Sequence, residues 1–186
     1  MSINRKGRKG EGETKRRRDE GTERRPQDRK TTRELNNIMI IRKATSADAE
    51  IIIDFQQKMA WETEHMKLVP EIILKGVNAV FNDSAHGQYW IAEDQGKIVA
   101  SLLITYEWSD WRNCNVWWFQ SVYVLPEFRR KRVFSTMYRF IKDEADRNGA
   151  GGLRLYVETN NAKAQCTYEA LGMQSLHYKM YEWMKE

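Results

Sequence analysis

A chain folds only where it has apolar side chains to bury, and the first 37 residues of this one have almost none. Residues 1–37 contain no aromatic residue and no large apolar one beyond Met1, Ile3 and Leu35. They carry basic runs such as Arg5-Lys6-Gly7-Arg8-Lys9 and Lys15-Arg16-Arg17-Arg18. Burial there cannot offset the entropy of ordering, so a disordered basic tail is expected. Folding is left to residues 38–186.

The charge divides in the same way. The first 37 residues hold 13 of the 31 lysines and arginines and 7 of the 26 acidic residues, a net of +6. The remainder, with 18 basic and 19 acidic residues, has a net charge of −1. Three readings of the tail stand. It contacts nucleic-acid phosphates by charge alone, it is a solvated tail, or it is not native and Met39 is the start. With no aromatic side chain among the cations, base stacking is unsupported.

The 186-residue length suits one domain with a core of its own. The sequence has no run of about 20 apolar residues, which argues against a membrane span. No apolar segment follows the basic start, which argues against a secretory signal. Cys114 and Cys166 form no CxxC, and His65, His86 and His177 have no ligand spacing. The expectation is a cytoplasmic protein without a metal site.

From residue 38 the periodicity alternates. Ile38–Ala44 reads as a strand. Ser46 suits the N-cap of a helix toward Glu64, with Ile52, Phe55, Gln56 and Met59 on one face. Pro70 suits the first turn of a second helix ending near Asn82. Gln88–Glu93 and Lys97–Glu107 read as strands joined at Gln95-Gly96. Val116–Val124 is a further strand. A long amphipathic helix carries Val133, Met137, Phe140, Ile141 and Ala145 and stops at Gly149. Leu153–Val157 reads as a short strand, Ala162–Leu171 as a helix and Tyr178–Met184 as a last strand. The order β-α-α-β-β-β-α-β-α-β predicts a mixed α/β domain, its central sheet flanked by helices.

The segment Ser121–Ser135 runs from a strand through a basic loop into a helix. The first N–H groups of a helix have no internal partner and lie at the positive end of its dipole, so they bind anions. Arg129, Arg130, Lys131 and Arg132 add charge. A solvent-exposed basic loop would have the same composition.

The stretch Val124-Leu125-Pro126-Glu127-Phe128-Arg129-Arg130-Lys131 resembles motif A of the GNAT superfamily of acetyl-CoA-dependent N-acyltransferases, roughly V-x-P-x-x-R-x-x-G-x-G/A. Val157, Asn161-x-x-Ala164-x-x-x-Tyr168 and Leu171-Gly172-Met173 are similar to its motif B. The element order over 38–186 matches the whole domain. The stretches Ala60–Glu64, Glu107–Arg112 and Trp117–Val124 resemble a bacterial-type subgroup to which no substrate attaches. The chain departs from the motif at two places: Arg132 stands where the family has glycine, and Phe134 where it has glycine or alanine. If position 132 needs φ > 0, a side chain there costs on the order of 1–3 kcal/mol.

The resemblance implies a GNAT fold and an acetyl-CoA site. Backbone at Val122, Tyr123 and Val124 would meet the pantetheine, with the Val122 amide polarising the acetyl carbonyl. The loop from Arg129 through Arg130, Lys131, Arg132, Val133 and Phe134 would hold the pyrophosphate. Asn161 and Ala164 would lie beside the cofactor, although helix capping also explains Asn161. Tyr168 takes the general-acid position; a core tyrosine is the plainer reading.

For the base, Glu107, Glu158 and Glu62 are candidates, although a solvated carboxylate is the plainer reading of each. Gln120 stands where some GNAT proteins carry a glutamate, and an amide takes no proton. Trp61, Glu62, Trp108, Trp111 and Gln120 are candidate acceptor contacts; aromatic faces suit a cationic amine, and core packing is the alternative. The expected activity is acetyl transfer to a primary amine of a small molecule or peptide in a ternary complex. A ligand-holding domain without catalysis is the alternative. A homodimer is a possible assembly, and nucleic acid a partner only through the tail.

Overall fold

The computed structural model describes residues 39–175 and 179–185. The expected tail at 1–37 lies outside them. Five strands form one sheet in the order β1-β2-β3-β4-β5. These are β1 (Ile40–Lys43), β2 (Gln88–Asp94), β3 (Lys97–Ser109), β4 (Cys114–Val124) and β5 (Leu153–Arg154). Neighbours are antiparallel except β4 and β5, which run parallel. Helices α1 (Ala49–Glu64) and α2 (Pro70–Asn82) follow β1; α3 (Val133–Arg147) joins β4 to β5; α4 (Ala162–Ala170) follows.

Strand alternation sorts the core into two layers. Tyr89 and Ile91 of β2 pack with Ala49, Ile52 and Val77 under α1 and α2. Trp90 and Ala92 turn the other way and join Val133, Met137, Tyr138, Ile141 and Ala145 of α3. Phe119 of β4 stacks on Tyr138 at 5.8 Å. Among the described residues, no helix is long and apolar enough to cross a membrane.

Most boundaries move by one or two residues, β3 reaching Ser109 and β4 starting at Cys114, and three differences have a structural cause. Thr45, not Ser46, precedes the first turn: the Asp48 carboxylate accepts from the Thr45 backbone N–H at 2.8 Å and from its hydroxyl at 3.1 Å. The capping box therefore closes one residue early, and Ser46–Asp48 forms a single tight turn before α1. The strand expected at Leu153–Val157 keeps only Leu153 and Arg154, because its neighbour diverges beyond them. The last expected strand is not formed among the described residues. Tyr178 lies outside them, and 179–185 have no regular structure, with Tyr181 and Trp183 exposed. A strand needs a paired edge, and β5 is too short to offer one.

Arg42 clamps the start of α1 to the sheet. Its guanidinium donates to both Asp48 oxygens, at 2.8 and 2.9 Å, and its Nε donates to Glu93 of β2. Hydrogen bonds from Arg42 outweigh the burial of Asp48 and, with Thr45, hold its carboxyl at about 2. A depressed carboxyl stabilises the fold above its unfolded pKa near 4 and loses that contribution as pH falls toward 2. Thermal melts from pH 7 to pH 2 should show this loss. Asp48→Asn should cost on the order of 2–3 kcal/mol at pH 7 and flatten the profile below pH 4.

Candidate functional site

The site begins with a fault in β4. Ser101 of β3 pairs with Tyr123, and Leu103 pairs with Gln120, so β4 carries one residue more than its partner there. This is a β-bulge at Ser121 and Val122, and Ser121 sits in the left-handed region at φ 49°. On the other side of β4, the parallel ladder holds only Trp117 with Leu153 and Trp118 with Arg154. Beyond Trp118 the two strands part. Among the described residues, the Val122–Val124 backbone thus faces a split with no strand across from it.

The split leads to the basic loop. Pro126–Phe128 makes one tight turn, Arg129 is extended, and α3 starts at Val133. Arg130 and Arg132 both lie at φ 63°. The position where the related motif has glycine therefore does adopt the left-handed conformation, with an arginine in it. The first N–H groups of α3, from Val133 on, have no carbonyl within the helix. Arg130, Lys131 and Arg132 are exposed around them. A groove of about 550 Å³ continues from the loop, with Arg132, Ser135 and Arg139 on one wall and Cys166, Thr167 and Leu171 on the other.

Arg129 is differently placed from its basic neighbours. Its Nε donates to the Val124 carbonyl at 2.9 Å, and its terminal nitrogen pairs with Glu62 at 2.5 Å. Glu62 also accepts from the Tyr123 hydroxyl at 2.8 Å, and the Arg129 guanidinium lies 5.4 Å from the Tyr123 ring centre. Burial opposes the charge on Glu62, but hydrogen bonds from Arg129 and Tyr123 outweigh it and hold its carboxyl below the usual range. Burial, with help from Glu62, pushes the Tyr123 phenol up to about 12. These residues tie the end of α1 to the end of β4 and to the loop.

Phe134 points from the start of α3 toward α4. Its ring meets Tyr168 edge-on at 5.5 Å, with Phe119 and Tyr138 behind it at 6.1 and 6.3 Å. Burial raises the Tyr168 phenol above its ordinary value, so the hydroxyl keeps its proton at neutral pH. Asn161 caps α4: its side-chain oxygen accepts from the Ala164 N–H at 3.1 Å. Glu158 sits in the preceding turn, where its carboxylate meets Asn160.

The face of the sheet shared with α1 carries a second cluster. Glu107 accepts from the Trp118 indole at 2.5 Å and from Arg154 at 2.7 Å. Both its oxygens are taken. Gln120 lies between Thr105 and Tyr156 on the same face. Trp108 points to the opposite face, the side of Tyr106 and Trp117, because strand neighbours alternate. It does not join Gln120. Trp111, 88% exposed at the hairpin tip, does not either. Trp61 sits on α1 beside Glu62 with Lys67 over its ring. Thr105, Arg154 and Tyr156 were not singled out in the sequence, although two-residue spacing from Arg154 places Tyr156 on the face of Gln120.

The comparisons agree with this architecture. The acetyltransferase (GNAT) family model matches residues 50–173. A structure described as a possible acetyltransferase from Clostridium difficile 630 is 41% identical, with a TM-score of 0.74 over 80% of this chain and 99% of that one. An aminoglycoside N-acetyltransferase solved in complex with CoA shares the fold at 16% identity, with a TM-score of 0.66 over 80% and 96% of the two chains. Thialysine N-epsilon-acetyltransferase of Bos taurus is 33% identical over 85 residues, which are 45% of this chain and about half (49%) of that protein. By its family match, its split sheet and its basic loop, this chain belongs to the acetyltransferase (GNAT) family.

Proposed function

We propose that this chain transfers an acetyl group from acetyl-CoA to a primary amine of a small molecule or peptide, both substrates being bound together. The observation that carries the reading is the parting of β4 from β5 beside the bulge, with unpaired helix N–H groups and cations at its head. The relatives support it: one carries CoA, and another is named for a lysine-like amine.

Acetyl-CoA in the split would supply an activated thioester carbonyl. The amides of Val133, Phe134 and Ser135 would bind its pyrophosphate, with Arg130, Lys131 and Arg132 adding charge. The bulge would aim the Val122 N–H at the thioester oxygen. The half-buried Tyr168 hydroxyl is the proton donor to the departing sulfur. As the C–N bond forms and the C–S bond breaks, the amine gives up one proton. Glu62 and Glu107 are committed to arginines, which leaves water, or Glu158 in the turn before α4, to take that proton.

The competing reading is a loop that no longer binds its ligand, and the left-handed arginines favour it. Calorimetric titration of acetyl-CoA into the full chain separates the two. Micromolar binding is expected. Arg132→Gly should relieve strain, raising stability by about 1 kcal/mol, and change affinity less than tenfold. Binding by the glycine variant but not by the native chain would establish a decayed site.

Tyr168→Phe keeps the ring against Phe134 and removes the proton. It should lower kcat about a hundredfold and leave the acetyl-CoA Kd unchanged. An unchanged kcat would dismiss Tyr168 as the acid.

A further inference from the structure

The ladder between β4 and β5 stops at Trp118 and Arg154. The next positions in register on that face are Gln120 and Tyr156. Their backbones have parted, but their side chains meet across the gap: the Tyr156 hydroxyl donates to Gln120 Oε1 at 2.5 Å. The Gln120 amide nitrogen donates to Thr105 Oγ1 at 3.3 Å, which keeps Oε1 turned toward Tyr156. Tyr156 is 55% exposed, lies in 155–158, which have no regular structure, and has its ring 6.2 Å from that of Trp118, so the pair is open to a ligand from solvent. Glu107 and Arg154, the charged residues beside the pair, neutralise one another. What bridges the mouth of the split is thus an uncharged pair, a phenol O–H donating to an amide oxygen.

The geometry points to Gln120 and Tyr156 as the seat of the attacking nitrogen, and to the N–H count of a primary amine as what they select. This rests on the acetyl-transfer reading above. A primary amine placed between the two oxygens donates one N–H to Gln120 Oε1 and the other to Tyr156 Oη. Its lone pair then faces away from both acceptors, into the split. The hydrogen bond between the two side chains is exchanged for two to the substrate, and the Tyr156 O–H turns to solvent, to which the residue is open. A secondary amine has a single N–H and forfeits one of these bonds, a loss of about tenfold. Tyr156 is therefore a specificity residue, and Thr105 a positioning residue that acts through the Gln120 amide.

The test measures CoA release by the full chain at saturating acetyl-CoA, with thialysine, lysine and a lysine-containing peptide as acceptors beside their Nε-methyl derivatives. The native chain should prefer the primary amine by about tenfold in kcat/KM. Tyr156→Phe and Gln120→Leu should each lower kcat/KM for the primary amine about tenfold and bring the ratio toward one. The KM for acetyl-CoA and the melting temperature should stay unchanged, which shows that the variants fold. A merely structural role would leave the ratio of the two amines where it was. CoA release with that ratio unmoved by both substitutions would overturn the seat alone. No CoA release from any of the acceptors would overturn the acetyl-transfer reading, and the seat with it.

Discussion

Everything distinctive in this domain follows from β4 being held fully on one side and hardly at all on the other. Toward β3 it is paired along its length, apart from one bulge. Toward β5 it is paired at two positions. A parallel neighbour that departs so early leaves backbone N–H and C=O groups facing a gap, and such groups are costly to leave unmet. The gap therefore has to be wet, bridged by side chains or filled by a ligand. The Tyr156–Gln120 hydrogen bond is a bridge of this kind, and in the proposed reading the cofactor fills the gap beyond it.

A gap in a sheet is a weakness, and the structure braces it from the α1 side. Glu62, at the end of α1, receives Tyr123 from β4 and Arg129 from the loop, and Arg129 also holds the Val124 carbonyl. A partly exposed ion pair by itself contributes little, up to about 1 kcal/mol. Here one carboxylate serves two elements, and the phenol it receives is buried at 4% exposure. Removing Glu62 would strand the Tyr123 hydroxyl as well as Arg129, so its value lies in geometry more than in charge. The carboxylate that the sequence offers as a base thus also holds the strand end.

The parts of the fold that rest on periodicity were legible in the sequence. Pro70 opens α2, Gln95-Gly96 turns β2 into β3, and the apolar face of α3 runs from Val133 to Ala145, each where pattern and turn chemistry place them. What escaped depends on partners distant in sequence. Thr45 was an exception: its Thr-x-x-Asp spacing to Asp48 is a local capping signal that was open to reading. The shortness of β5 comes from the course of β4, not from the residues of 153–157, which are apolar enough for a strand. For the candidate site, the basic loop and Tyr168 were visible as motifs. The occupation of Glu62 and Glu107 by arginines 67 and 47 residues away was not. Trp108 is one residue from Glu107, and one residue along a strand is the other face, so it lies with Tyr106 and Trp117 and not with Gln120.

The two departures from the family's loop belong together physically. A side chain at φ 63° is strained by on the order of 1–3 kcal/mol, and such a conformation persists only where its surroundings impose it. At position 132 the imposing residue is two positions on. Phe134 packs among Phe119, Tyr138 and Tyr168, fixing where α3 begins and how its first turn is oriented. Burying most of a phenylalanine contributes about 2 kcal/mol, comparable to the strain it maintains. A glycine at 132 with a small residue at 134 would be a relaxed loop with little packing behind it. An arginine with a phenylalanine is a strained loop anchored from inside. It keeps the helix N–H groups in place, adds a cation beside them, and ties the loop's geometry to the ring on which Tyr168 rests.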